Sequence, residues 1–226
     1  FEDKNENIIS GVVIYFFRII LFELILGYVV KCLNCYSITL CFGLELIILY
    51  ILSIIKKDSM IKYMFKIARE YRNKKIVLKL NFNTIITVIF IIVFCVISFI
   101  ALTMYEYSYD GNYYHLSHII DYIQEGQIYQ TNNSLWNNVY PQNIELLNMF
   151  YMMFTYSIKL VRIPQIIFSL LGILSVYMLM KELSFSSKVS YRCGILYFLV
   201  PFVLTQIPTT YIDAIGCTIF ILLLYL

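Results

Sequence analysis

The sequence predicts an all-α, multipass transmembrane helical bundle of about six spans, with an outer-face loop that contains short amphipathic helices. Three observations predict it. Of the 226 residues, 61% are hydrophobic and 14% are charged, against about 45–50% and about 25% in an ordinary soluble domain. A chain of this length cannot enclose that much apolar surface in an interior of its own, so the excess must face lipid. The few charges are also segregated: nine of the 17 Lys and Arg lie between Lys56 and Lys79, and none lies between Leu80 and Ile158. Collagen-like, disordered and disulfide-framework classes are excluded by the same composition.

A helix that crosses a bilayer core of about 30 Å needs about 20 mostly apolar residues. The first run that meets this extends from Ile8 to Val30 and the second from Tyr36 to Ile55. A third, from Thr84 to Met104, has no charge. The fourth covers Ile163 to Met180, the fifth Val189 to Leu204, and the sixth begins at Ile212 and is still apolar at Leu226. Because the chain begins with Phe1 rather than Met and ends inside an apolar run, it reads as a fragment of a longer protein without a cleavable signal.

Orientation follows from the cations. The basic segment 56–79 joins the second and third runs, which places it and the N-terminus in the cytoplasm of a cell-membrane protein. Met60, Tyr63, Met64, Ile67 and Tyr71 fall mostly on one face of this segment if it is helical, as in a helix lying on anionic membrane lipids. It contains no nucleic-acid-binding motif. Residues 105–158 carry Glu106, Asp110, Asp121, Glu125 and Glu145 without a cation, and fall outside.

That outer connection is long for a bundle, which points to function. A helix starting near Asp110 would place Asp110, Tyr114, His118 and Asp121 near one face, with Gly126 as its terminator. Tyr140-Pro141 marks a turn, and a second amphipathic helix begins at Ile144. Asp110 and Asp213 stand out as acids next to apolar runs, where an ionisable group is a site candidate and also a sound helix-start acid.

Four stretches, YDGNYYHLSHIIDYIQEGQIY, YPQNIELL, VRIPQIIFSLLGILSVYMLMKEL and PFVLTQIPTTYIDAIGCTIFILLLYL, resemble in order the N-terminal part of the C-type glycosyltransferase superfamily. The branch they resemble is that of protein mannosyltransferase-like and aminoarabinose-transferase-like enzymes. The resemblance covers residues 84–226, the N-terminal part of such a membrane domain. It leaves residues 1–83, a two-span hairpin plus the basic segment, as an N-terminal addition. It implies an enzyme that transfers a hexosyl or pentosyl unit from a polyprenyl-phosphate-linked sugar to an acceptor glycan, lipid or protein on the outer face, with inversion. It also implies that Asp110 is the catalytic base and Asp213 a second acid, with Tyr114 and His115 against the substrate. Lys159 and Arg162, at the outer mouth of the fourth run, are the outer cations available either to clamp the donor phosphate or to snorkel to the interface, and Arg162 matches the Arg that opens the family's R-x-P stretch. Many members have a second acid directly after the first, where this chain has Gly111. The alternative from another class is a transporter or flippase of a polyprenyl-linked glycan that uses the same outer groove without breaking a bond.

Other constellations are weaker. His115, His118 and Asp121 are spaced by three, so a divalent metal is conceivable there, but the spacing does not identify the further ligands and no cofactor is assigned. Cys32 and Cys35 form an isolated C-x-x-C in the outer hairpin, read as coincidence or an incidental disulfide. Arg18, Glu23 and Glu45 lie within the first two runs, where pairing of Arg18 with Glu45 or Glu23 is expected.

Overall fold

A computed structural model describes residues 2–55, 81–131 and 135–225. These residues form helices and connecting turns, with no strand among them. Helix α1 is Glu2–Leu24, continued by a π turn at Ile25–Val30, and α2 is Cys35–Ile55. Helix α3, Phe82–Thr103, is started by Asn81, whose side chain accepts a hydrogen bond from the Thr84 N–H. The long connection contains a π turn at Gly111–His115 followed by α4, Leu116–Glu125, then α5, Leu135–Val139, and α6, Asn143–Thr155. A 3-10 turn at Ile158–Arg162 leads into α7, Ile163–Glu182. Helices α8 (Ser187–Phe198), α9 (Pro201–Gln206) and α10 (Asp213–Tyr225) complete the described chain.

Among the described residues, four helical stretches are long and apolar enough to cross a bilayer: Asn5–Val30, Cys35–Ile55, Phe82–Thr103 and Ile158–Glu182. The fifth expected run is split. Pro201 lacks an N–H and its ring would clash one turn back, so α8 stops at Phe198 and α9 starts afresh at Pro201. Helix α10 has 13 residues, a length of about 20 Å. Gly126 ends α4 in the left-handed conformation at φ 63°, a geometry that costs glycine little. The basic segment 56–79 lies outside the described residues, so the surface-helix reading falls there as well.

Hydrogen bonds between helix ends give the bundle two distinct ends. Arg192, in the second turn of α8, donates to Asn83 at the start of α3. Tyr225, at the end of α10, donates to Glu6 at the start of α1. At the other end, the residue that opens α7 reaches the last turn of α3. Helix α7 packs most closely against α8 and α10, and α1 lies against α6 and α7. Phe16 stacks on Phe168 in the core formed by Ile19, Leu147, Leu171 and Ile215.

The first two helices are built into this body. The boundary expected between residues 83 and 84 falls inside the first turn of α3. Leu26, Leu33 and Ile38 share a core with Leu116, Ile119, Tyr122 and Met149. The Leu33 N–H donates to the Gly126 carbonyl at 2.7 Å, and the Ile128 N–H to the Gly27 carbonyl at 3.2 Å. Arg18 pairs with Glu45 as expected, donating from both Nε and Nη2. Glu23 is fully buried, and neither of its carboxyl oxygens has a hydrogen-bond partner among the described residues. Cys32 and Cys35 are free thiols.

Candidate functional site

After α3 the chain turns at Met104 into extended backbone, and Glu106 points inward. One carboxylate oxygen accepts from the Ser108 N–H at 3.0 Å and from its hydroxyl. The other lies 3.4 Å from Arg162 Nε. Arg162 is 0% exposed. Its Nη1 donates to the Ala101 and Met104 carbonyl oxygens, both at 2.8 Å, and so satisfies acceptors that the end of α3 leaves open. Only Nη2 has no partner among the described residues. The resemblance implies a phosphate contact at Arg162; in the fold its guanidinium is buried beside Glu106, where it joins α3 to α7 and has Nη2 left over.

The paired Glu106 and Arg162 form the floor of the site. Asn112 Nδ2 donates to the Glu106 and Ser108 carbonyls at 3.0 and 3.1 Å, folding the chain into the π turn that follows Asp110. π turns recur at functional sites. Asp110 precedes this turn half-buried, and its carboxylate makes no capping bond. Asp110 therefore stands in the first turn of this helical stretch, where an acid is favourable by charge, without being tied down by a capping bond.

Gly111 is buried at the centre of the floor. A Cβ there would overlap the Ser108 hydroxyl and stand 2.7 Å from both Glu106 Cδ and Thr210 Oγ1. The Glu106 carboxyl group thus fills the space that a second acid at position 111 would need. Gly111→Ala is expected to cost about 1–3 kcal/mol of stability, measured by denaturant unfolding in detergent.

Asp213 approaches from the opposite side, exposed at the start of α10. Gln206 holds it: its Nε2 donates to Asp213 Oδ2 at 2.9 Å, while its Oε1 accepts from the Ala214 N–H at 2.8 Å. Tyr114 lies in the field of both acids. Burial, then the charges of Asp110, the nearby Tyr140, Asp213 and Glu145, push its hydroxyl up to about 12. At neutral pH it remains an O–H donor inside an acidic field. Lys159 sits half-buried with its ammonium group 5.1 Å from the centre of the Tyr105 ring.

The chain matches no family model, no curated protein and no solved structure. Functional inference therefore rests on its side chains.

Beneath Tyr114, His115 is 2% exposed and Glu145 on α6 is 5% exposed, with His115 Nδ1 2.7 Å from Glu145 Oε1. His118 turns to a different partner set, the Tyr122 hydroxyl and the Gln142 amide. The two histidines thus diverge, and among the described residues no three His, Cys, Asp or Glu side chains form a metal-binding group. Asp110, Tyr114, His115 and Asp213 are brought together, whereas Arg162 lies below them. Glu106, Glu145, Gln206 and Thr210 complete the arrangement and were not singled out from sequence. Glu106 and Glu145 did carry a signal, as acids in a stretch without cations.

Burial lowers the His118 pKa, outweighing the Glu145 and Asp121 charges that raise it. Unfolded histidine takes up its proton near pH 6.5, whereas the folded form does so only at lower pH. Its contribution to stability is complete above that value and is lost as pH falls below it. The drop in melting temperature between about pH 7.5 and about pH 5.5 should therefore be smaller in His118→Gln than in the parent.

Proposed function

We propose that the protein is a membrane glycosyltransferase that moves a sugar from a polyprenyl-phosphate carrier to an acceptor hydroxyl on the outer face of the cell membrane. In this reading the chain crosses the membrane six times. The broken α8–α9 unit and α10 supply the last two crossings, residues 56–79 lie in the cytoplasm, and the Asp110 loop lies outside. The absence of Lys and Arg from Leu80 to Ile158 supports this orientation.

The observation that carries the reading is the carboxylate of Asp110. It is half-buried beside Tyr114, shares that residue's field with Asp213, and makes no capping hydrogen bond among the described residues. A sugar or lipid hydroxyl is a poor nucleophile, and a free carboxylate within reach can take its proton as the oxygen attacks. The oxygen lone pair forms the new bond to the anomeric carbon. The bond from that carbon to the phosphate oxygen breaks, and its electron pair leaves on the polyprenyl phosphate. Asp213, fixed by Gln206, is placed to hold a second hydroxyl. Lys159, in the turn that opens α7, is the cation offered to the phosphate.

The test is incubation of the full-length protein in liposomes with a labelled polyprenyl-phosphate hexose or pentose and a membrane extract as acceptor. Release of polyprenyl phosphate with transfer of label supports the reading. Movement of the intact donor across the bilayer without release overturns it in favour of a transporter.

A further inference from the structure

The resemblance puts His115 against the substrate without giving it a role, and in the fold the side chain is enclosed together with Glu145. The two residues come from different elements, the π turn and the first turn of α6, and are 30 positions apart. A carboxylate accepts hydrogen bonds and cannot donate one. Glu145 Oε1 therefore fixes the proton of a neutral His115 on Nδ1 and leaves the lone pair on Nε2. Among the described residues Nε2 has no hydrogen-bond partner. The imidazole lies 4.2 Å, ring centre to ring centre, from Tyr114 and 6.3 Å from Tyr211, edge to face. The groups around it are the ring of Tyr114, whose own hydroxyl lies in the field of Asp110 and Asp213, the ring of Tyr211, Glu145 from α6, and His118 from α4.

We propose that His115 is the hydroxyl-reading residue of this site: Glu145 holds it in the Nδ1–H tautomer, and Nε2 accepts a hydrogen bond from a sugar hydroxyl. The assignment rests on the reading of the site as one that binds a glycosyl group. It makes Glu145 a positioning residue that acts through His115. A tautomer with a fixed acceptor selects a donor, so the position takes a hydroxyl and refuses the oxygens of a phosphate dianion, which can only accept.

The sequence contains two histidines, so nitrogen-15 histidine NMR of the full chain in nanodiscs reads both, and His118→Gln assigns them. At a pH where the spectrum shows both rings neutral, His115 should carry its proton on Nδ1, and Nε2 should respond to methyl glucoside but not to inorganic phosphate. Glu145→Ala should shift the population towards Nε2–H and weaken the glucoside response about tenfold, in proportion to the competent tautomer. Glu145→Gln, whose amide oxygen can still accept from Nδ1–H, should restore it. An Nε2–H tautomer in the parent protein, a response to phosphate alone or to neither probe, or an unchanged tautomer in Glu145→Ala would each overturn the proposal. If Glu145→Ala does not fold, the parent and Glu145→Gln spectra decide. None of these readings requires turnover. A parent protein that fails to transfer sugar therefore overturns the enzyme reading and not the tautomer assignment.

Discussion

Exchange of Asp110 for asparagine is expected to slow the proposed sugar transfer by about 10²–10⁴-fold in kcat, the usual contribution of a positioned general base. The substitution keeps shape and removes only the proton-accepting charge. Because the Asp110 side chain makes no capping bond in the fold, thermal unfolding should be nearly unchanged. The pairing of these two results matters: a rate loss with the same melting temperature points to chemistry, whereas a parallel loss of both points to packing. Initial rates from a labelled polyprenyl-phosphate sugar provide the first number and detergent-phase melting the second. Transfer at the parental rate would remove Asp110 from the mechanism.

Arg162→Met should have the largest effect on stability, about 3–5 kcal/mol, the usual penalty for removing one member of a buried ion pair. The substitution leaves Glu106 without its cation and leaves two carbonyl oxygens at the end of α3 without their donor. Arg162→Lys should recover little, since one ammonium group cannot reproduce a planar fork that reaches a carboxylate and two carbonyls in different directions. Adding Glu106→Gln to Arg162→Met should return part of the loss by removing the stranded charge. If denaturant titration shows Arg162→Met to be as stable as the parent, the salt bridge and the carbonyl bonds contribute no net stability.

Much of the helical layout was legible from sequence because it depends on local signals. The uncharged run from Thr84 matches α3 closely, Gly126 ends α4 as expected, and Tyr140-Pro141 separates α5 from α6. The Arg18–Glu45 pair was also legible, since two ionisable groups in neighbouring apolar helices have few other partners. The break at Pro201 was written in the sequence, but the apolar count on either side outweighed it. The floor of the site was illegible for a different reason. Whether Arg162 reaches a headgroup or turns inward depends on Glu106 and on carbonyls 58 and 61 residues away, and apolar periodicity carries no information about such partners. The pairing of His115 with Glu145 is hidden in the same way. Gly111 read as a missing acid. In the folded chain it is the residue small enough to let Glu106, Ser108 and Thr210 meet.

The bonds from Arg162 to the end of α3 also set an order of events during biosynthesis. Ala101 leaves the ribosome 61 residues before the arginine that satisfies its carbonyl, an interval of about 3–12 s at ordinary elongation rates. Through that interval the acidic loop has no anchor at its far end, and Glu106 has no cation. The acidic surface can be assembled only once the residues that open α7 have been made. A pause in translation or a delay in membrane insertion before that point would therefore expose an open loop to proteases, whereas the same delay after it would meet a closed one.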